Sequence, residues 1–260
     1  MKDLKYIFFT TINSTNTFAM NLLNQTPSQN LDAINKLIVI SDTQTKGRGR
    51  LERVFYSPEK TGLYMSAIYC PQKPITDPAL ITAAAAVAVT RSIKKIFKAE
   101  SKIKWVNDIY IDEKKVCGIL TEGHFNSEKK IIDACVIGIG VNLSTKVFPV
   151  ELSGKAGCVS EDISQSKIYF YRDIFAKDIS DELYSLLDEE NQSLDETMNE
   201  YKEKSFLIGK TVEVSPVIGE TKENYSAVVI DITKTARLVV KTSDGFEKEL
   251  ESGEVTLKLS

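Results

Sequence analysis

Two hydrophobic spacings share this chain, and the point where one gives out divides it. Apolar runs of strand length alternate with stretches of helical period up to about residue 207, whereas short runs alone follow Ile208-Gly209. The first part predicts strands at Tyr6 to Phe9, Leu37 to Ile40, Leu63 to Tyr69 and Ile131 to Leu143. The last of these is nearly continuous in apolar residues and is therefore expected at the centre of its sheet. Lys102 to Ile111 and Lys115 to Glu122 read as a hairpin turning at Asp112-Glu113-Lys114. Helices are expected from Ser14, an N-cap, to about Asn24, from Pro78 to about Lys98, and over 168–187 and 194–205. Thr26 to Asn35 and Ser41 to Arg53 read as polar loops. In the second part, Thr211 to Val214, Tyr225 to Thr233, Leu238 to Thr242 and Phe246 to Leu250 predict a small closed or half-closed β barrel, with Ser243-Asp244-Gly245 as a hairpin turn. The fold class is α+β, a mixed β-sheet backed by helices followed by the small barrel. The division is drawn between residues 1–207 and 208–260.

Composition narrows the setting. The chain has 260 residues, 42% hydrophobic and 27% charged, with a formal net charge of −3. No broad basic field suggests nucleic acid. The apolar starts of the chain and of the alanine-rich segment Ile81 to Val89 are too short for a signal peptide or a bilayer span, so no membrane association is expected. Cys70, Cys117, Cys135 and Cys158 form no C-x-x-C pair and read as reduced thiols, which suits a cytoplasmic location. His124 is the single histidine and reads as a surface loop residue, leaving no histidine-based metal site or triad. No metal-ligating set is expected.

Against that acidic background stands Lys46-Gly47-Arg48-Gly49-Arg50, followed by Lys104-Trp105-Val106-Asn107-Asp108-Ile109-Tyr110 and then Lys115. Arginine offers a planar fork of donors, and glycine lets backbone N–H groups approach an anion. Fixed cations separated by small residues suit the joint capture of a phosphate and a carboxylate. Each segment also has a plainer reading. The arginine loop could be a solvated turn, Ser14-Thr15-Asn16 a helix cap, Asn107-Asp108 a strand-ending turn, Lys115 a solvated hairpin lysine, and Trp105 a core residue. Gly138 and Gly140 could permit close strand–helix packing.

The order of these segments resembles the biotin–protein ligases. Their pattern G-R-G-R-x-G-R reads Gly47 to Arg53 here, K-W-P-N-D-[LI]-Y reads Lys104 to Tyr110, and K-x-x-G-[IV]-L-x-E reads Lys115 to Glu122. Ser14-Thr15-Asn16, Val136 to Asn142 and Ser252-Gly253-Glu254-Val255 extend the match over nearly the whole chain. The resemblance implies a biotin/lipoate ligase-like catalytic domain with a C-terminal SH3-like barrel. It implies an ATP-dependent enzyme that converts biotin to biotinyl-5′-AMP, then acylates a lysine of a biotin carboxyl carrier protein or domain, as in acetyl-CoA carboxylase. Arg48, Lys115 and Asp108 would be catalytic. Ser14, Thr15, Asn16, Gln44, Arg48, Gly49, Arg50, Lys115 and Gly118 would hold biotin. Arg50, Arg53, Asn107, Asp108 and Asn142 would hold the nucleotide, with Mg²⁺ on its phosphates. The pattern begins within sixteen residues of the start, which points to a monofunctional type without a DNA-binding domain, monomeric or homodimeric.

Departures sharpen the expectation. Val106 replaces the usual proline and is expected to remain an apolar strand residue. Glu52 replaces the third glycine of the loop and leaves adenylate binding undisturbed only if it points outward. Phe55 keeps the aromatic that follows the loop, whereas the adenine-stacking tryptophan of some members has no counterpart near Val159. Lys46 to Phe55 is expected to lack internal support and to order on the adenylate. Two other readings stay open: a lipoate or octanoyl transferase of the same superfamily, and a non-catalytic sensor of biotinyl-adenylate.

Overall fold

The structure, a computed structural model, describes residues 3–188, 194–215, 224–251 and 254–257. The Ser252-Gly253 pair of the C-terminal pattern lies outside these. Seven strands form the main sheet: β1 (Lys5–Ile12), β2 (Leu37–Gln44), β3 (Gly62–Tyr69), β4 (Lys102–Lys104), β5 (Asp108–Ile111), β6 (Lys114–Asn126) and β7 (Ile131–Asn142). Their order is β1-β2-β3-β7-β6-β5-β4, with β1 and β2 parallel and the other pairs antiparallel. The apolar strand 131–142 is the middle strand, as its sequence predicts.

Alternation along the strands gives the sheet two unlike faces. Leu63, Met65 and Ala67 of β3, with Ile137, Ile139 and Val141 of β7, belong to the large core. Helices α3 (Pro78–Phe97) and α4 (Ile168–Leu186) pack against β3, β6 and β7 on this side, and α5 (Leu194–Lys204) packs on α3 and β4. Ala83 to Ala86 of α3 are fully buried, so small side chains let the helix lie close to the sheet. Arg91 is not simply solvated as a basic residue near a helix C-terminus: it bonds Glu200 at 2.6 Å and Glu182 at 3.2 Å, joining three helices. The opposite face is covered only in part. Helix α1 (Thr15–Gln25) sets Ala19 and Leu23 against Val39, Ile68, Val136 and Ala134. Beyond its N-terminus the same face carries Tyr64, Gly140 and Gly118, which no helix among the described residues covers.

Several boundaries depart from expectation. Residues 26–35 include a 3-10 turn, Ser28–Asn30, and the short helix α2 (Leu31–Ile34), packed through buried Leu31. Strand β2 continues to Gln44 because β1 supplies backbone partners as far as Ile12, so its polar end is not loop. Residues 102–111 are two strands rather than one, turning at Trp105-Val106-Asn107. Val106 therefore sits in a turn, and the Trp105–Val106 peptide is cis. The next turn is tighter than expected, with Asp112 and Glu113 both in the left-handed region (φ 46° and 64°). His124 lies within β6, not on a loop, and its ring bonds Asp133 at 2.7 Å. All four cysteines are free thiols, as expected.

The C-terminal residues form an antiparallel sheet of five strands, ordered β11-β10-β9-β8-β12. These are β8 (Thr211–Ser215), β9 (Tyr225–Ile232), β10 (Leu238–Thr242), β11 (Glu247–Leu250) and the unexpected β12 (Glu254–Leu257). Its interior continues into the large core through Val212, Val229 and Leu238. The Trp105 indole N–H donates to the Ala236 carbonyl at 2.7 Å, and the Tyr201 hydroxyl donates to the Val106 carbonyl at 2.9 Å. Both bonds tie the 105–107 turn to elements packed outside it. Among the described residues no helix is long and apolar enough to cross a membrane.

Candidate active site

The open part of the sheet face is the floor of a cleft of about 370 Å³. Its geometry follows from one row of cross-strand partners. Tyr64 of β3 lies opposite Gly140 of β7, Gly140 opposite Gly118 of β6, Gly118 opposite Asp108 of β5, and Asp108 opposite Lys104 of β4. Partners in such a row share a face, so two glycines make a flat centre, flanked by an aromatic on one side and charges on the other. A Cβ on Gly140 would stand 2.6 Å from the Phe55 ring, and one on Gly138 would stand 2.1 Å from Asn16 Oδ1. Gly138 thus admits the α1 helix, as strand–helix packing requires, whereas Gly140 admits an aromatic from the loop.

At one end of the cleft α1 delivers its N-terminus. Ser14 caps the helix by accepting from the Thr17 N–H at 3.4 Å. Gln44 Oε1, from the end of β2, accepts from the Thr15 N–H at 2.9 Å, and Gln44 Nε2 donates to Ser57 Oγ at 3.0 Å. Asn16 donates to the Leu120 carbonyl at 3.2 Å and to Glu122 at 2.9 Å, and its Oδ1 lies 2.6 Å from Ser66 Oγ. Ser14, Thr15 and Asn16 are buried and line the cleft, and Ser14 is also the helix cap.

The arginine loop forms one wall. It has internal support that its composition does not announce: Arg48 bridges Val54, the Gly49 N–H donates to the Arg53 carbonyl at 2.7 Å, and the Phe55 N–H donates to the Gly47 carbonyl at 3.0 Å. The tip places both Leu51 and Glu52 in the left-handed region (φ 53° and 58°). That conformation explains why glycine suits the position Glu52 occupies. Glu52 is exposed and does not line the cleft. The Arg48 guanidinium forks onto Glu122 at 2.9 and 2.8 Å, and Arg50 donates to Asn107 Oδ1 at 3.2 Å.

Opposite stand Asp108, Lys115 and Lys104. Lys115 Nζ lies 2.6 Å from Asp108 Oδ1. Its strand is held by the 155–157 segment, where the Lys115 N–H donates to the Lys155 carbonyl at 2.9 Å. Burial pushes the Lys104 ammonium below the ordinary lysine range; Asp108 opposes this, and Lys115 and Arg53 add to it. Burial, helped by Asp108, pushes the Tyr110 hydroxyl up to about 12.

Of the residues that the resemblance names as catalytic, biotin-holding or nucleotide-holding, all but Asn142 line this one cleft. Asn142 is buried beside it, donating to the Gly157 carbonyl at 3.0 Å, so its side chain shapes the wall without facing the space. Sequence reasoning passed over Glu122, Ser66 and Lys104. Glu122 and Lys104 stand within the patterns already quoted, and their charge is the signal that could have found them. Ser66 lies in an apolar strand and gives none. Trp105 is both a core residue and part of the cleft wall.

The profile of the biotin/lipoate A/B protein ligase family matches residues 8–142, more than half of the chain. The chain belongs to this family. The bifunctional ligase/repressor BirA of Bacillus subtilis is 37% identical over 157 residues, 60% of this chain and 46% of that protein. The chain therefore spans about half the length of that relative. BirA of Escherichia coli is 24% identical over 95% of this chain and 72% of its own. Among solved structures, the biotin protein ligase from Aquifex aeolicus in complex with biotin and ATP superposes with a TM-score of 0.74 at 25% identity, covering 98% of this chain and 99% of that one. The family's matched segment ends at Asn142, so it takes in the glycine floor, the arginine loop and the charged row together.

Proposed function

We propose that this protein is a biotin–protein ligase that makes biotinyl-5′-AMP from biotin and ATP and passes the biotinyl group to a lysine of a carrier domain. The observation that carries this reading is the convergence on one cleft of a flat apolar floor, polar anchors from α1 and β2, and the cations Arg48 and Lys115 on its walls. A fused ring needs an apolar slot with few polar groups, which Gly118, Gly140 and Phe55 offer beside Thr15, Asn16 and Gln44. In adenylation two anions must meet, since a carboxylate oxygen attacks the α-phosphate. Arg48 and Lys115 would offset that repulsion, and in a cleft of low dielectric their effect is much stronger than in water. Both rest on carboxylates, Glu122 and Asp108, which the ligand's anions would exchange for their own.

The second step needs a neutral amine. A lysine arrives with a pKa near 10.4 and must lose a proton before it attacks the acyl-adenylate. Asp108, set between Lys115 and Lys104, is the lining carboxylate suited to orienting that amine and taking its proton. Mg²⁺ would accompany the triphosphate and offset its charge, with Asp108 as the lining carboxylate that would help hold it. Residues 1–207 would form the catalytic unit and 208–260 the SH3-like unit. A biotin carboxyl carrier protein in the cytoplasm would be the acceptor.

The test is ATP–pyrophosphate exchange with biotin or lipoate as the acid, followed by single-turnover transfer to a biotin carboxyl carrier domain. Biotin-dependent exchange and a biotinylated carrier are expected. Exchange driven by lipoate alone would assign the other branch of the family, and binding without exchange would make the protein a sensor.

A further inference from the structure

The charged row on β5 and β4 carries one group that the two-step reaction has not used. Lys104 lines the cleft, lies opposite Asp108 across β4 and β5, and extends past the Tyr110 ring at 6.0 Å. The other cations whose partners are known are engaged: Arg48 with Glu122, Lys115 with Asp108, and Arg50 with Asn107. Among the described residues no carboxylate stands within ion-pair distance of Lys104. Asp108, Lys115 and Arg53 act on it by charge, and the Tyr110 ring lies alongside. An ammonium drawn partly out of water, with Asp108 shared between it and Lys115, is suited to meet an arriving anion.

Position says which anion. The row Gly140, Gly118, Asp108, Lys104 runs outward from the ring floor one strand at a time. Lys115 and Asp108 mark the place of the carboxyl–phosphate junction, and the backbone at Lys104 stands one strand spacing, about 4.8 Å, beyond that at Asp108. That is the scale of the step from an α-phosphate to the phosphates behind it. We propose that Lys104 binds the β- and γ-phosphates of ATP and receives the departing pyrophosphate. This inference rests on the ligase reading and adds to it a residue specific to the first step. As the carboxylate oxygen bonds to the α-phosphorus, the bond from that phosphorus to the bridging oxygen breaks. Its electron pair leaves on pyrophosphate, whose growing charge the Lys104 ammonium neutralises, with no proton transferred. Biotinyl-AMP has no such group, so Lys104 takes no part once pyrophosphate has gone.

That asymmetry provides the test. Lys104→Met keeps the aliphatic stem and removes the charge. Its kcat/KM for ATP in biotin-dependent exchange should fall on the order of a hundredfold, as for loss of one fixed charge-stabilising donor. Biotin affinity by calorimetry, and single-turnover transfer to carrier from pre-formed biotinyl-5′-AMP, should stay within about twofold of the parent. Lys104→Arg should restore most of the exchange. If Lys104→Met does not fold, Lys104→Gln carries the same comparison. Unchanged exchange without the charge overturns the assignment, and so do equal losses in exchange, transfer and biotin affinity, which would mark a structural role. Absence of biotin-dependent exchange in the parent overturns the ligase reading and this assignment together, whereas the other two outcomes overturn only the latter.

Discussion

Gly138→Ala is the substitution by which the packing of the cleft is most directly measured. An added Cβ would lie 2.1 Å from Asn16 Oδ1, 2.7 Å from its Cγ and 2.8 Å from its Nδ2, all well inside contact distance. The obstacle is a buried amide rather than the free end of a flexible chain, because Asn16 is 4% exposed. To make room Asn16 must leave its place and give up three contacts, those with Ser66 (2.6 Å), Glu122 (2.9 Å) and the Leu120 carbonyl (3.2 Å). At about 1 kcal/mol net for each hydrogen bond the cost is about 3 kcal/mol, more where a buried partner finds no substitute. Equilibrium urea unfolding measures this, with biotin titration on the folded variant to follow the loss of the Asn16 anchor. Gly123→Ala serves as the control, since the atoms nearest its Cβ belong to the Ile132 side chain, at 3.1 Å and beyond, and it should cost less than about 1 kcal/mol. In an Asn16→Ala background the penalty of Gly138→Ala should nearly vanish, giving a coupling energy of about 2–3 kcal/mol. Additive effects, or a Gly138→Ala protein with parental stability and biotin affinity, would refute the reasoning.

Arg48→Ala and Lys115→Ala should each slow biotinyl-AMP formation about a hundredfold, roughly 3 kcal/mol of transition-state stabilisation, and parental rates in both would sink the charge argument. Glu52→Gly should raise stability by about 1 kcal/mol, because glycine relieves the left-handed φ of 58°, while adenylate affinity stays level; hydrogen exchange over the loop with and without biotin and ATP then reports whether the ligand adds order. Trp105→Phe removes the bond to Ala236 and should lower stability by about 1–2 kcal/mol with a matching loss of protection in β9 and β10; unchanged exchange there would disprove the tie. Burial pushes the Asp133 carboxyl up, but hydrogen bonds from Asn126 and His124 outweigh it and hold it below the usual carboxylate range. Its stabilisation is therefore present above the usual carboxylate range and lost as pH falls through the lowered value, and Asp133→Asn should flatten the acid limb of a stability-versus-pH curve.

Much of the site was legible because its chemistry is local. Gly47 to Arg53, Asn107-Asp108 and Lys115 are charged or glycine-rich segments breaking apolar strands, and a side chain that interrupts a strand pattern announces itself. The misread pieces have a common origin. The strand ending at Gln44 and the place of His124 within β6 are polar stretches held in regular structure by neighbours distant in sequence, and the turn at 105–107 is held by the bonds to Ala236 and Tyr201. Their partners, not their own propensities, decide their form.

By itself, the sequence determined the alternation of strands and helices, the central place of 131–142, the change of pattern after residue 208, and the set of groups available for phosphate and carboxylate chemistry. These follow from periodicity and residue type, which are properties of neighbours along the chain. Tertiary structure alone decided which groups face one another. Register set Tyr64, Gly140, Gly118, Asp108 and Lys104 in one row, although they come from five strands, and a shift of one residue would turn each side chain to the other face. It also decided that Asn142 supports a wall instead of facing the cleft, and that Glu122 meets Arg48 across a separation of 74 residues. Those pairings are fixed by closing the sheet over a shared core, a cooperative event that no single segment encodes.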